Sequence, residues 1–165
     1  MSISNITDIL QQQLKLYGRL LECEEMKKEM IINNQVVELN VLTQKQKLLT
    51  AKADELETSR LLATAKYFRD SGLRTRSGIL SDLIKSVYNP DEKQQLTRLY
   101  DDLSALLKRL KQTNEVNQQL IQQSLDFINF SIGLMIEDPN EDMTYQHPMN
   151  GISANKRNTW YDSKA

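Results

Sequence analysis

No proline occurs in the first 89 residues of this chain, and none follows Pro90 until Pro139. Proline removes a helix hydrogen bond and clashes with the preceding turn, so its absence over spans this long leaves long helices open to the chain. Glycine, the other common interrupter, occupies only five positions. No window shows the period-two alternation of β-branched and aromatic residues that marks a strand. The predicted class is all-α: an elongated antiparallel helical bundle or coiled coil. It has three long helices, one short helix and a disordered C-terminal tail.

Local signals divide the helices. Asn5 or Ser4 can cap a first helix over about 5–31, with Ile6, Leu10, Leu14, Tyr17 and Leu21 spaced by four and three. Asn33 and Asn34 interrupt it, because asparagine tolerates the left-handed conformation that ends a helix. One unbroken helix through this point is the alternative. A second helix, about 35–69, carries Leu39, Leu42, Gln46, Leu49, Ala53, Leu56, Arg60, Ala63 and Tyr67 in a strict three-four spacing, a seam for another helix. DSGLRTRSG, residues 70–78, reads as a loop with Gly72 and Gly78 as hinge points, and a short helix over about 77–87 follows. That short helix is placed to cover part of whatever apolar face is left open.

YNPDE then opens the last helix, 90–136. Asn89 is a good N-cap, Pro90 suits the first helical position, and Asp91 and Glu92 complement the helix dipole. At 1.5 Å per residue this rod is about 70 Å long. Its seam runs Leu99, Leu103, Leu106, Leu110, Thr113, Asn117, Leu120, Ser124, Phe127, Ser131, Leu134. A second stripe starts one position later with Ile121, Leu125, Ile128, Ile132 and Met135, and Phe130 and Ile136 widen it. Ten of the seventeen residues from Leu120 to Ile136 are Leu, Ile, Phe or Met. Burial by the other helices would explain part of this face, but apolar surface beyond roughly a few hundred Å² generally serves a partner. We therefore assign partner binding to Leu120, Ile121, Leu125, Phe127, Ile128, Ile132 and Met135, with Asn117 and Ser124 as adjustable polar contacts. Such spacing suits an amphipathic helix laid alongside.

From Asp138 the composition changes: two prolines, a glycine and several asparagines predict a disordered tail over 138–165, beyond a helical domain of 1–137. Tyr145, Trp160 and Tyr161 are unusual in such a segment and point to a short docking motif. A net charge of −1 gives no general attraction to nucleic acid or to an anionic membrane. Seven Asn, Gln and Asp side chains within 117–129 exclude a membrane span there, and the N-terminus has no signal-peptide pattern. The single cysteine, Cys23, fits a reducing cytoplasm and reads as a packing residue. Catalysis has no foothold. His147 is alone in the tail, and Glu22, Glu25, Asp101 and Asp102 lie on charged helical stretches that read as solvated faces. No metal site, cofactor or nucleotide loop is expected, and Arg74 and Arg76 are too few for a nucleic-acid patch.

Three stretches, LLECEEMKKEMIINN, KQKLLTAKADELETSR and NEVNQQLIQQSLDFINFSIGLM, together with a tail holding Thr144–Tyr145 and Thr159–Tyr161, resemble the FlgN family of flagellar export chaperones. The resemblance implies a cytoplasmic, nucleotide-independent chaperone that is not an enzyme. It would bind the C-terminal regions of hook-associated (hook-filament junction) proteins, prevent premature assembly and deliver them to the cytoplasmic domain of the flagellar type III export gate. Under it, cargo lies on the last helix, and Tyr145, Trp160 and Tyr161 dock the gate. The free protein is expected to be a monomer or weak dimer. The alternatives are a structural coiled-coil scaffold, and a chaperone for flagellin or the filament cap.

Overall fold

The computed structural model describes residues 3–72 and 78–136. Four helices account for them: α1 (Ile3–Ile32), α2 (Val36–Asp70), α3 (Leu80–Ser86) and α4 (Pro90–Ile136). The tail residues Tyr145, Trp160 and Tyr161 lie outside the described residues.

Asn34 settles the choice between one helix and two. It adopts φ +53°. Its N–H donates to the Ile31 carbonyl at 3.2 Å, and the next N–H, of Gln35, donates to Met30 at 2.9 Å. That crossed pair of bonds around a left-handed residue closes α1 and turns the chain back as α2. At the other boundary the Asn89 side chain accepts from the N–H groups of Asp91 (2.9 Å) and Glu92 (3.4 Å), which caps α4 as its sequence predicts.

Consecutive long helices run antiparallel, so α1 and α4 point the same way. Gln13 meets Glu57 and Glu24 meets Gln46 across the α1–α2 pair, whereas Glu24 meets Asn117 on α4. α1 is central and packs along both long neighbours. Its buried positions accordingly cover two stripes, Ile6, Leu10, Gln13, Leu20 and Glu24 on one and Ile9, Leu16 and Cys23 on the next. Every position of the α2 heptad seam from Leu39 to Tyr67 is buried or half-buried. Arg60, an unusual seam residue, is held by Glu57 through two hydrogen bonds of 2.8 and 2.6 Å, and Gln13 donates to the same carboxylate at 2.9 Å. Those contacts satisfy a guanidinium that would otherwise be costly to bury.

The apolar core sits at the end where α1 and α4 begin, with Ile6, Leu10, Phe68, Leu83, Val87, Leu96, Leu99 and Leu103 in one cluster. α3 contributes Leu83 here, and so it covers this base rather than the distal face of α4 for which the sequence placed it. From Leu103 to Leu120 is about 25 Å along the helix axis. Gly78 is also not a hinge in the sense expected. Its carbonyl accepts from Arg60 Nη1 at 2.8 Å, and the Leu61 side chain fills the space a Cβ would need. Gly72, at φ +71°, does require glycine's freedom.

Replacing Asn34 by alanine should cost about 1 kcal/mol in urea unfolding, because alanine is strained in the left-handed region, and glycine at the same position should be neutral or better. An Asn34→Ala protein as stable as wild type would mean the left-handed turn is not what separates α1 from α2.

Candidate functional site

α4 is 47 residues long and α1 only 30, and with Glu24 bonded to Asn117 the end of α1 at Ile32 falls about level with Leu125, so roughly the last three turns of α4 run past it. Leu96, Leu99 and Leu103 are buried, Leu106, Leu110 and Thr113 half-buried, and Asn117 is the last buried residue of the helix. Beyond it α4 continues as unbroken helix to Ile136, which at 1.5 Å per residue is a further ~28 Å.

A buried polar junction closes the covered part. Glu24 is fully buried, and its carboxylate accepts from Gln46 Nε2 of α2 and, on α4, from Asn117 Nδ2 at 2.7 Å and Asn114 Nδ2 at 3.3 Å. Asn117 Nδ2 also donates to the Glu24 backbone carbonyl at 2.8 Å, and Lys27 Nζ lies 3.4 Å from the carboxylate. Burial alone would push this carboxyl up. The hydrogen bonds from Gln46 and Asn117, the Lys27 charge and the Asn114 bond outweigh it and hold the group below its usual value. Gln46 Oε1 and Asn117 Oδ1 are buried without a donor among the described residues. Both amides are thus committed to the carboxylate.

Past the junction the helix turns apolar and open. Exposure runs from 39% at Ile121 through 49% at Leu125 and 70% at Phe127 to 84% at Met135. Ile128 and Ile132 are exposed with them, while Leu120 and Ser124 are half-buried. On a 3.6-residue helix the stripe Ile121, Leu125, Ile128, Ile132, Met135 lies in line with Leu96, Leu103 and Leu110. The free face is therefore the core face of α4 carried past the last residue that α1 and α2 bury. Asp126, which accepts from Gln122 at 2.9 Å, is the only charged side chain from Val116 to Ile136. The surface is therefore apolar and almost without charge.

Of the residues assigned to binding from the sequence, eight lie on or beside this exposed face. Asn117 does not. It is 2% exposed and holds Glu24, so it belongs to the bundle rather than to a partner contact. Glu24 is the residue the sequence reading missed. Its signal was present, because Leu10, Leu14, Tyr17, Leu21 and Glu24 follow one another at four and three, placing an acid on the seam of α1. Phe130, Leu134 and Ile136 are exposed as well and extend the apolar surface around the helix end.

Among the described residues no helix is long and apolar enough to cross a membrane, and no cluster of His, Cys, Asp or Glu could hold a metal ion. The FlgN protein family model matches residues 1–150. The chain is 33% identical over 141 residues to the uncharacterized protein YvyG of Bacillus subtilis (strain 168), a match that spans 85% of this chain and 84% of that one. No solved structure matches significantly.

The junction sets a pH dependence. The Glu24 and Glu57 carboxyls both sit below their usual values, Glu57 chiefly through its hydrogen bonds from Arg60. A carboxyl depressed in the folded state stabilises the fold above its unfolded value, and that stability is lost as pH falls through the folded one. Unfolding free energy by urea titration should therefore hold steady near neutrality and fall on acidification below about pH 5. Glu24→Gln should lower stability at pH 7 by about 1–3 kcal/mol and flatten the acid limb. An unchanged limb in the variant would show that the junction does not carry it.

Proposed function

Since the chain belongs to the FlgN family, whose members are flagellar export chaperones, we propose that the open face of α4 holds its cargo and that this cargo is the C-terminal region of hook-associated proteins. The observation that carries the reading is the continuation of the α4 core face, exposed from Ile121 on, to a helix end about five turns beyond its last buried residue, Asn117. A helix in that position presents what a cargo helix would otherwise meet only in its assembled structure. It therefore shields the cargo's apolar stripe until export.

Binding and release need only apolar contact and a few adaptable polar groups. Gln118, Gln119, Gln122 and Ser124 line the flanks with neutral donors and acceptors, so a partner helix can be hydrogen-bonded without one register being imposed. No step calls for nucleotide, metal or covalent chemistry, in keeping with a chaperone family rather than an enzyme family. The protein acts in the cytoplasm and passes its cargo to the cytoplasmic domain of the export gate. Tyr145, Trp160 and Tyr161 of the tail make that second contact. Aromatic side chains offer large apolar faces with few rotors to freeze, which lets a short segment bind weakly by itself and more firmly once cargo supplies a second attachment.

Leu125→Asp combined with Ile132→Asp should leave the far-ultraviolet circular dichroism and the urea midpoint near wild type, because both side chains are about half exposed in the free protein. Removing two apolar contacts of roughly 1.5 kcal/mol or more each should weaken binding to a C-terminal peptide of a hook-associated protein at least about a hundredfold. Undiminished peptide binding by the folded double variant would overturn the assignment. So would dispersal of a wild-type dimer by the same changes with no peptide bound, which would favour a scaffold.

Truncation after Glu137 should preserve peptide affinity, lower binding to the purified cytoplasmic domain of the gate and impair swimming. Loss of peptide affinity with gate binding intact would reverse the two roles.

A further inference from the structure

We infer that the groove between α1 and α2, on the side that α4 leaves open, is a second docking surface that takes an acidic amphipathic helix of another protein. The inference is independent of what α4 carries.

Two adjoining cavities make up the groove. Gln12 and Leu56 line both, so the two are continuous, and no residue of α4 lines either. The floor is apolar: Leu16 is 5% exposed and Leu56 half-buried. The rims are basic, with Lys15 and Arg19 on α1 and Lys52 and Lys66 on α2, and no acidic side chain lines the groove. None of these four cations is ion-paired among the described residues, although the chain as a whole carries a net charge of −1. Four unpaired cations around an apolar floor therefore form a local departure from the average.

The exposed surface of α2 extends this pattern. Val41, Leu48, Lys52, Ser59 and Lys66 follow at seven, four, seven and seven, one stripe at the edge of the groove. Leu48 is 75% and Val41 67% exposed, and Leu62 at the other end is 67% exposed. Such large apolar side chains beside lysines give a seam with charged flanks, the arrangement that sets partner choice between helices. From Asn5 to Arg19 the groove spans about 20 Å, room for four turns of a helix.

Charge complementarity selects the occupant. An amphipathic helix can seat its apolar stripe on Leu16 and Leu56 while carboxylates on either side meet the two basic rims. A second copy of this groove would set cation against cation. A flat bilayer would touch the rims and leave the recessed floor uncovered.

The probe is a fluorescein-labelled peptide of about 21 residues with Leu at heptad a and d and Glu at e and g, titrated with full-length protein by anisotropy. Its counterpart carries Lys at e and g. In the Leu125→Asp, Ile132→Asp background, which removes the charge-indifferent face of α4, the Glu peptide should bind, and more weakly as salt rises, while the Lys peptide should not. Lys15→Glu with Lys52→Glu should weaken the Glu peptide at least about tenfold and let the Lys peptide bind.

Equal binding of the two peptides in the Leu125→Asp, Ile132→Asp background, or no binding of the Glu peptide there, would overturn the inference. It also fails if the groove binds phosphatidylglycerol vesicles in a Lys15- and Lys52-dependent way but ignores the Glu peptide. A wild-type dimer dispersed by Leu48→Asp in sedimentation would assign the groove to a second copy instead. Peptide affinity that rises several-fold on truncation after Glu137 would assign it to the chain's own tail.

Discussion

Everything in this bundle is registered by one buried carboxylate. Glu24 is fully removed from solvent, and amide donors from both α2 and α4 converge on it. A charge in that position is tolerable only while those donors are present, because its lost hydration is worth several kcal/mol. Sliding α4 by one turn along α1 would separate Asn117 from the carboxylate and leave the charge unanswered. Leucine seams alone discriminate such slips poorly, since one leucine replaces another at each turn. The polar junction is thus what fixes the offset of the three long helices, in the way a single polar residue specifies register in a coiled coil. The Gln13–Glu57–Arg60 group adds a second polar contact between α1 and α2 nearer the base, where Arg60 also reaches the Gly78 carbonyl.

This registration divides α4 into two parts, one packed and one open. Up to Asn117 its inner face is consumed in folding, and beyond it the face opens by degrees, with Leu120 and Ser124 still half-buried and Ile121, Leu125 and Ile128 exposed. Helix length does the dividing, because α1 stops after 30 residues while α4 runs for 47. A partner that binds and leaves the open part need not disturb the packed part, since the buried Glu24 junction lies between them. Specificity is distributed accordingly. The junction discriminates registers strongly, and the face beyond it, neutral apart from Asp126, hardly does. A surface that must accept and release helices benefits from the second property, and a fold that must stay intact meanwhile benefits from the first.

The position of α1 in the middle has a further consequence. Packed by α2 and α4 together, it leaves a groove on its remaining flank, edged by cations from two helices that the sequence keeps 33 or more positions apart. The apolar face of α4 and this basic groove are chemically unlike each other. A net charge near zero conceals that separation, because composition averages what the helices sort onto different faces.

The sequence by itself determined what depends on neighbours within a turn or two. The left-handed break at Asn34, the Asn89 cap, the seam of α2 and the apolar excess after Leu120 were all legible, since each rests on backbone preference or on helical periodicity. The family was legible too, in three helical stretches. What only the tertiary structure decided is which polar residues become buried and which apolar ones stay open. Asn117 looked like a contact for a partner because it lies on the apolar seam of α4, and Glu24, between Glu22 and Glu25 that read as solvated, drew no reading of its own. The two are instead bonded to each other inside the bundle. α3 was expected over the open face and lies at the base, where Leu83 joins Ile6, Leu10 and Leu96. Burial depends on how far one helix extends past another and at what offset they meet. Those quantities are set by contacts between residues 90 or more positions apart, Glu24 with Asn114 and Asn117 above all, and local periodicity carries no record of them.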